Sequence, residues 1–112
     1  MDLETIQNLS FEIISEASNA RSSFQQGIEA SKEFDFEKAE SLIKEGSKQL
    51  ATASRKHFSV IQEEANGESL PFSVLFMHAE DQLIMTEIKR DSAKELLDIY
   101  KKIMEMKGQE NV

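Results

Sequence analysis

Apolar and small residues recur at alternating steps of three and four along almost the whole chain. That rhythm restricts the possible folds more than any other property of the sequence. One stripe runs Ile6, Ser10, Ile13, Ala17, Ala20, Phe24, Gly27, Ser31 and Phe34, and a second runs Phe36, Ala39, Ile43, Gly46, Leu50, Ala53, His57 and Val60. A third runs Phe72, Phe76, Ala79, Leu83, Thr86, Arg90, Ala93, Leu97, Tyr100 and Met104. This is the helical period, sustained far too long for strands. Its seven-residue beat implies nearly parallel axes with the shallow crossings of coiled coils.

The interruptions are as legible as the stripes. Asp35 is placed to cap a second helix, with Phe34 before it and Ala39 after it spaced for a hydrophobic staple. Asn66-Gly67 supplies a left-handed stop. Ser69 is expected to cap the third helix, with Pro71 in the first turn, where a missing N–H costs nothing. Gly108, after the cation Lys107, is expected to end it. The expectation is one all-α domain over residues 1–112, with helices at roughly 2–33, 36–65 and 70–107. Short connections make sequential neighbours antiparallel, giving an up-down-up three-helix bundle.

The third helix has more apolar surface than one core stripe needs. Leu75, Met85, Ile88, Leu96, Ile99 and Ile103 form a second band. A helix apolar on two sides needs two partners, so self-association through this helix is expected.

Charge narrows the function. The chain carries 13 Lys and Arg against 21 Asp and Glu, a net charge of −8 with no local basic patch. Such a surface is repelled by nucleic acid and by anionic bilayers. No run approaches the roughly 18 apolar residues of a membrane span. Met1-Asp2-Leu3-Glu4 is acidic where a secretory leader is basic and then apolar. The absence of cysteine excludes disulfides and thiolate metal sites and suits a reducing cytoplasm.

The chemistry concentrates at Met77-His78-Ala79-Glu80-Asp81-Gln82-Leu83. His78 and Asp81 are three residues apart and share a helix face. A neutral imidazole titrating near a pKa of roughly 6.5 is a nucleophile at physiological pH. It can take a phosphoryl group on one ring nitrogen while the other is held by a hydrogen bond. The bland reading is that His78 is a surface or boundary residue. Asp81, among Leu, Met and Ile on an association face, is costly unless paired or ligated. Around a three-fold axis, three such carboxylates would call for a hard cation such as Mg²⁺; otherwise Asp81 is a solvated acid at the rim. His57 falls on the core stripe of the second helix and reads as a boundary histidine packing its ring. Arg21 and Arg90 would pair with phosphate or with nearby acids. The five methionines, at 1, 77, 85, 104 and 106, read as core or interface filler.

These residues resemble the lactose/cellobiose (chitobiose) family of enzyme IIA proteins of the bacterial sugar phosphotransferase system, over nearly the whole chain. The resemblance rests on Phe11-Glu12-Ile13-Ile14 and Asn19-Ala20-Arg21-Ser22 in the first helix, and on Asp35-Phe36 with Ala39 and Leu42 in the second. It continues through Gly67-Glu68-Ser69-Leu70-Pro71-Phe72-Ser73-Val74 and, most specifically, Met77 to Leu83 with Met85-Thr86. It implies a cytoplasmic homotrimer in which His78 carries a phosphoryl group from phosphorylated HPr to the cysteine of a cognate enzyme IIB. The resemblance also implies that Asp81 from each subunit meets one shared divalent ion, usually Mg²⁺, on the trimer axis, and that transfer is coupled to uptake of a disaccharide such as lactose or cellobiose. Two positions depart from the family pattern: Glu80 stands where Gln is common, and Gln82 where a second His is common. Glu80 places a negative charge two residues from a histidine that must accept a dianion. The competing functions are a histidine phosphotransfer module of two-component signalling, which usually has a Lys and a Gly shortly after its histidine, and a non-enzymatic helical interaction protein.

Overall fold

The computed structural model describes residues 1–110, and it consists of three long helices: α1 (Leu3–Lys32), α2 (Phe36–Ala65) and α3 (Val74–Glu110). They form a rod with extents of 66 × 21 × 18 Å. No helix among the described residues is long and apolar enough to cross a membrane.

The first two stripes become the core almost position for position. Ile6, Ser10, Ile13, Ala17, Ala20, Phe24, Gly27 and Ser31 of α1 are buried, as are Ala39, Ile43, Gly46, Leu50, Ala53 and Val60 of α2. The small residues decide how closely these helices approach. A Cβ added at Gly46 would stand 2.7 Å from the Phe24 ring, so glycine is what lets that ring lie across α2. The buried hydroxyls of Ser10 and Ser31 return to the helix, donating to the Ile6 and Gly27 carbonyls at 2.7 and 2.9 Å. They therefore enter the core satisfied. α1 contacts both other helices extensively, while the α2–α3 seam is the thinnest of the three.

The α1–α2 turn reverses the chain within three residues. Asp35 N–H donates to the Ala30 carbonyl and Phe34 N–H to that of Ser31, both at 3.0 Å, which closes α1 in the manner of a Schellman motif. The left-handed residue is Phe34, at φ +60°, rather than a glycine. Three contacts hold it there: edge-on packing against Phe36 and Tyr100, each at 6.1 Å, and the Lys107 ammonium 4.8 Å above its ring. Asp35 caps α2 as expected, accepting from Lys38 N–H at 3.3 Å. Gly67, at φ +96°, stops α2, with Glu68 N–H reaching back to the Glu63 carbonyl at 3.2 Å.

Both expected ends of the third helix are displaced. Helix α3 begins at Val74, and its cap is Ser73, not Ser69: Ser73 Oγ accepts Phe76 N–H at 3.1 Å, and its carbonyl accepts Met77 N–H at 3.2 Å. Pro71 therefore lies in the connecting segment rather than in a first turn. A proline disfavours the α region for the residue before it, so a helix start downstream of Pro71 is the less constrained solution. Phe72, counted in the third stripe, precedes the helix and is 76% exposed. Gly108 does not end α3, which continues to Glu110. The substitution of Ala by Gly costs an exposed helix only about 1 kcal/mol, too little to force termination.

Candidate functional site

The site lies where α3 begins, at the end of the rod shared by the start of α1 and the end of α2. Ser73 fixes the helix start, so His78 falls in the second turn and Asp81 one turn later on the same face. The first turn of α3 contains no acid, which leaves the positive end of its dipole available to an anion. His78 is exposed, and no hydrogen bond or ion pair among the described residues engages its ring. Asp81 is exposed as well, and no ion pair among the described residues includes it.

Both residues stand on the outer band of α3 expected from the sequence, although the band is narrower than expected. Met85, Ile88 and Ile99 are at least half exposed, and Val74 and Ile84 join them. Leu75 and Ile103 are half-buried, and Leu96 packs against the core. The inner face of α3, through Ala79, Leu83, Ala93 and Leu97, is buried against the bundle.

Two polar contacts tie this segment to the other helices. Arg21 of α1 donates from Nη1 to Thr86 Oγ1 at 3.0 Å and to the Gln82 carbonyl at 3.4 Å. The Thr86 hydroxyl itself donates to the Gln82 carbonyl at 2.7 Å. Arg21 thus pairs with no acid among the described residues; it braces the backbone one turn beyond His78. Arg90 does pair with an acid, Asp91, at 3.0 Å from Nε.

The second contact had no signal in the sequence. His57 Nε2 lies 2.8 Å from Glu80 Oε2, joining α2 to α3. The His57 ring also stacks on Phe76, 5.5 Å between centroids and 11° from coplanar. His57 does pack its ring, as its place on the core stripe suggests. The Glu80 carboxylate turns toward α2. Residues two apart on a helix do not face each other, so Glu80 and His78 occupy different sides of α3. Beside this pair opens a groove of about 430 Å³ lined by Ile61, Glu64, Leu70, Phe72 and Met77, among others.

No three potential metal-ligating side chains come together among the described residues of one chain. Asp81 offers one exposed carboxylate on the outer band of α3.

An exposed histidine just past a capped helix start has the accessibility that phosphoryl transfer between proteins requires. Residues 8–101 match the family described as PTS system, Lactose/Cellobiose specific IIA subunit. The chain belongs to this family.

Among individual enzyme IIA relatives, it is 40% identical over 102 residues to the PTS system lactose-specific EIIA component of Staphylococcus aureus (strain N315), covering 91% of this chain and 99% of that protein. It is also 40% identical over 97 residues to the PTS system oligo-beta-mannoside-specific EIIA component of Bacillus subtilis (strain 168), covering 87% and 88%. Two crystal structures share the architecture. PtcA from S. mutans superposes with a TM-score of 0.87 at 33% identity, covering 90% of this chain and 99% of that one. The PTS cellobiose-specific enzyme IIA from Bacillus anthracis gives 0.85 at 28%, covering 93% and 94%. The protein is therefore an enzyme IIA of the sugar phosphotransferase system, a phosphoryl carrier in sugar uptake. Family membership displaces the signalling-module and scaffold alternatives.

Proposed function

We propose that His78 is the residue that carries the phosphoryl group, taking it from phosphorylated HPr and delivering it to the cysteine of a cognate enzyme IIB in the cytoplasm. The observation that carries this assignment is the contrast between the two histidines. The His57 ring is committed to Glu80 and Phe76, whereas His78 is exposed at the start of α3.

In the first step a ring nitrogen of His78 donates its lone pair to the phosphorus. The donor's bond to phosphorus breaks, and its electron pair stays with the donor. In the second step the thiolate of enzyme IIB attacks, the P–N bond breaks, and its pair returns to the imidazole. The chain's own contribution is to hold α3 in place, through Ser73, Arg21 and Thr86, so that the ring meets each partner in one orientation. The relatives named for lactose and oligo-β-mannosides, together with the cellobiose-specific structure, support a β-linked oligosaccharide such as lactose or cellobiose as the sugar whose uptake is served.

The same proposal includes a homotrimer packed through the outer band of α3, with Asp81 of each subunit holding one shared Mg²⁺. The fit is chemical: a hard carboxylate, exposed among Met85, Ile88 and Val74, is destabilising on an association face unless a cation neutralises it. The ion would offset two of the three negative charges on the Asp81 carboxylates and hold them together on the axis.

The test of the carrier is direct. With enzyme I, HPr and phosphoenolpyruvate, the wild type should gain one acid-labile phosphate per chain. His78→Ala should gain none, and His57→Ala should still reach full labelling. Labelling that persists in His78→Ala would remove the assignment.

A further inference from the structure

His57 and Glu80 are 23 residues apart in sequence, and the contact they make has a consequence for the neighbouring histidine. With His78 as the carrier proposed for this chain, a negative charge on the same two turns of helix is a hazard to an incoming dianion. Two further acids lie nearby, Asp81 on the outer band and Glu64 in the groove beside Glu80. Where the Glu80 carboxylate sits therefore matters, and His57 determines where it sits.

We propose that His57 is a positioning residue for phosphoryl transfer at His78: it holds the Glu80 carboxylate against α2, on the side of α3 turned from the carrier ring, and pins the first turns of α3 to α2.

Three observations support this role. The bond is short, at 2.8 Å, and the partners' side chains are only 23% and 36% exposed, so water competes poorly for it. The His57 ring is fixed independently by its stack on Phe76, one turn before Glu80, so the donor is aimed before the bond forms. And the α2–α3 seam is the thinnest in the bundle, which gives one side-chain bridge a large share in placing the start of α3. Released from His57, the Glu80 carboxylate would lose its hydrogen-bond donor, and its charge would stand uncompensated beside the groove it already lines, two residues from the carrier, where its field opposes an incoming dianion. The cations near His57 do not replace it: Lys56 faces Glu12 of α1 at 3.7 Å, and Arg55 is bonded to Thr52 at 3.2 Å.

The experiment measures the initial rate of phosphate transfer from phosphorylated HPr at low and high salt. The chains compared are wild type, His57→Leu, His57→Gln, Glu80→Gln and the double variant His57→Leu with Glu80→Gln. His57→Leu keeps an apolar contact with Phe76 and is expected to fold, which circular dichroism checks. Its rate at low salt should fall about three- to tenfold, the usual effect of one misplaced charge on association, and the deficit should shrink as salt screens it. Glu80→Gln in the same chain removes the charge and should restore the rate to within about twofold of wild type, a coupling that independent sites would not produce. His57→Gln keeps a donor for Glu80 and should also stay near wild type. In nitrogen-15 spectra, the His57 ring signals should shift in Glu80→Gln while those of His78 stay in place. A His57→Leu chain that transfers at the wild-type rate and salt dependence overturns the proposal, as does one that Glu80→Gln fails to rescue. A wild type that takes up no phosphate overturns the carrier assignment itself, and this role with it.

Discussion

Replacing Gly46 by alanine adds a single methyl group where the Phe24 ring lies across α2. The new Cβ would lie 2.7, 2.8 and 3.0 Å from Cε1, Cδ1 and Cζ of Phe24. Carbon atoms pack at about 3.5–4.0 Å, so the ring must retreat by close to 1 Å. Phe24 is fully buried, and a packed interior has no slack to receive it. Overpacking of this kind costs about 1–3 kcal/mol, while the gain in helix propensity from Gly to Ala returns about 0.8–1.0 kcal/mol. The expected net loss is about 0–2 kcal/mol, or up to about 10 °C in Tm for a chain of this size. Gly108 supplies the control. It is also helical but has no atom within 4 Å of a built Cβ, so Gly108→Ala should keep the propensity gain alone, up to about 1 kcal/mol. Urea melts followed by circular dichroism at one fixed protein concentration separate the two variants. Adding Phe24→Leu to Gly46→Ala should recover part of the loss by thinning the ring that the methyl group strikes. A Gly46→Ala chain as stable as Gly108→Ala would refute the claim that glycine is there for space.

Ser73→Ala removes the acceptor for Phe76 N–H and should destabilise by about 1 kcal/mol, whereas Ser69→Ala should stay within about 0.5 kcal/mol; equal effects in a urea melt would return the cap to Ser69. Hydrogen bonds from Thr5, its side chain first and its backbone N–H next, hold the Asp2 carboxyl below its ordinary pKa of 3.8. A depressed carboxylate stabilises fully above the unfolded pKa and loses that contribution as pH falls through the folded one. Asp2→Asn should therefore flatten the acid end of a helicity titration and leave neutral pH nearly unchanged, and an identical acid limb in both chains would exclude Asp2 as its source. In sedimentation, chelator should loosen the wild-type assembly, while Asp81→Leu should associate at least as tightly without the ion, as apolar replacements of buried charges often do. A wild type that stays monomeric at high concentration with Mg²⁺ would defeat both the axis and the metal site.

The sequence by itself determined what depends on near neighbours. The three-four rhythm fixed three helices and the buried faces of α1 and α2, since side chains that far apart share a helix face whatever else the chain does. Asp35 and Gly67 marked their breaks because a cap or a left-handed residue acts within four positions. His78 and Asp81 were placed on one face by the same local geometry. The tertiary structure alone decided contacts between residues far apart along the chain. Which serine caps α3 depended on how the Pro71 segment crosses from α2, so Ser73 displaced Ser69 and Phe72 left the core. A bulky residue at φ +60° at Phe34 is tolerated because Tyr100 and Lys107 reach it from the far end of α3. Arg21 found Thr86 and a carbonyl of α3 instead of an acid, and Glu80 found His57. A stripe says that a residue faces inward, but which residue it meets is set by the axial offset of two packed helices, and that offset is fixed by the summed packing of Gly46, Phe24 and their neighbours rather than by any local pattern.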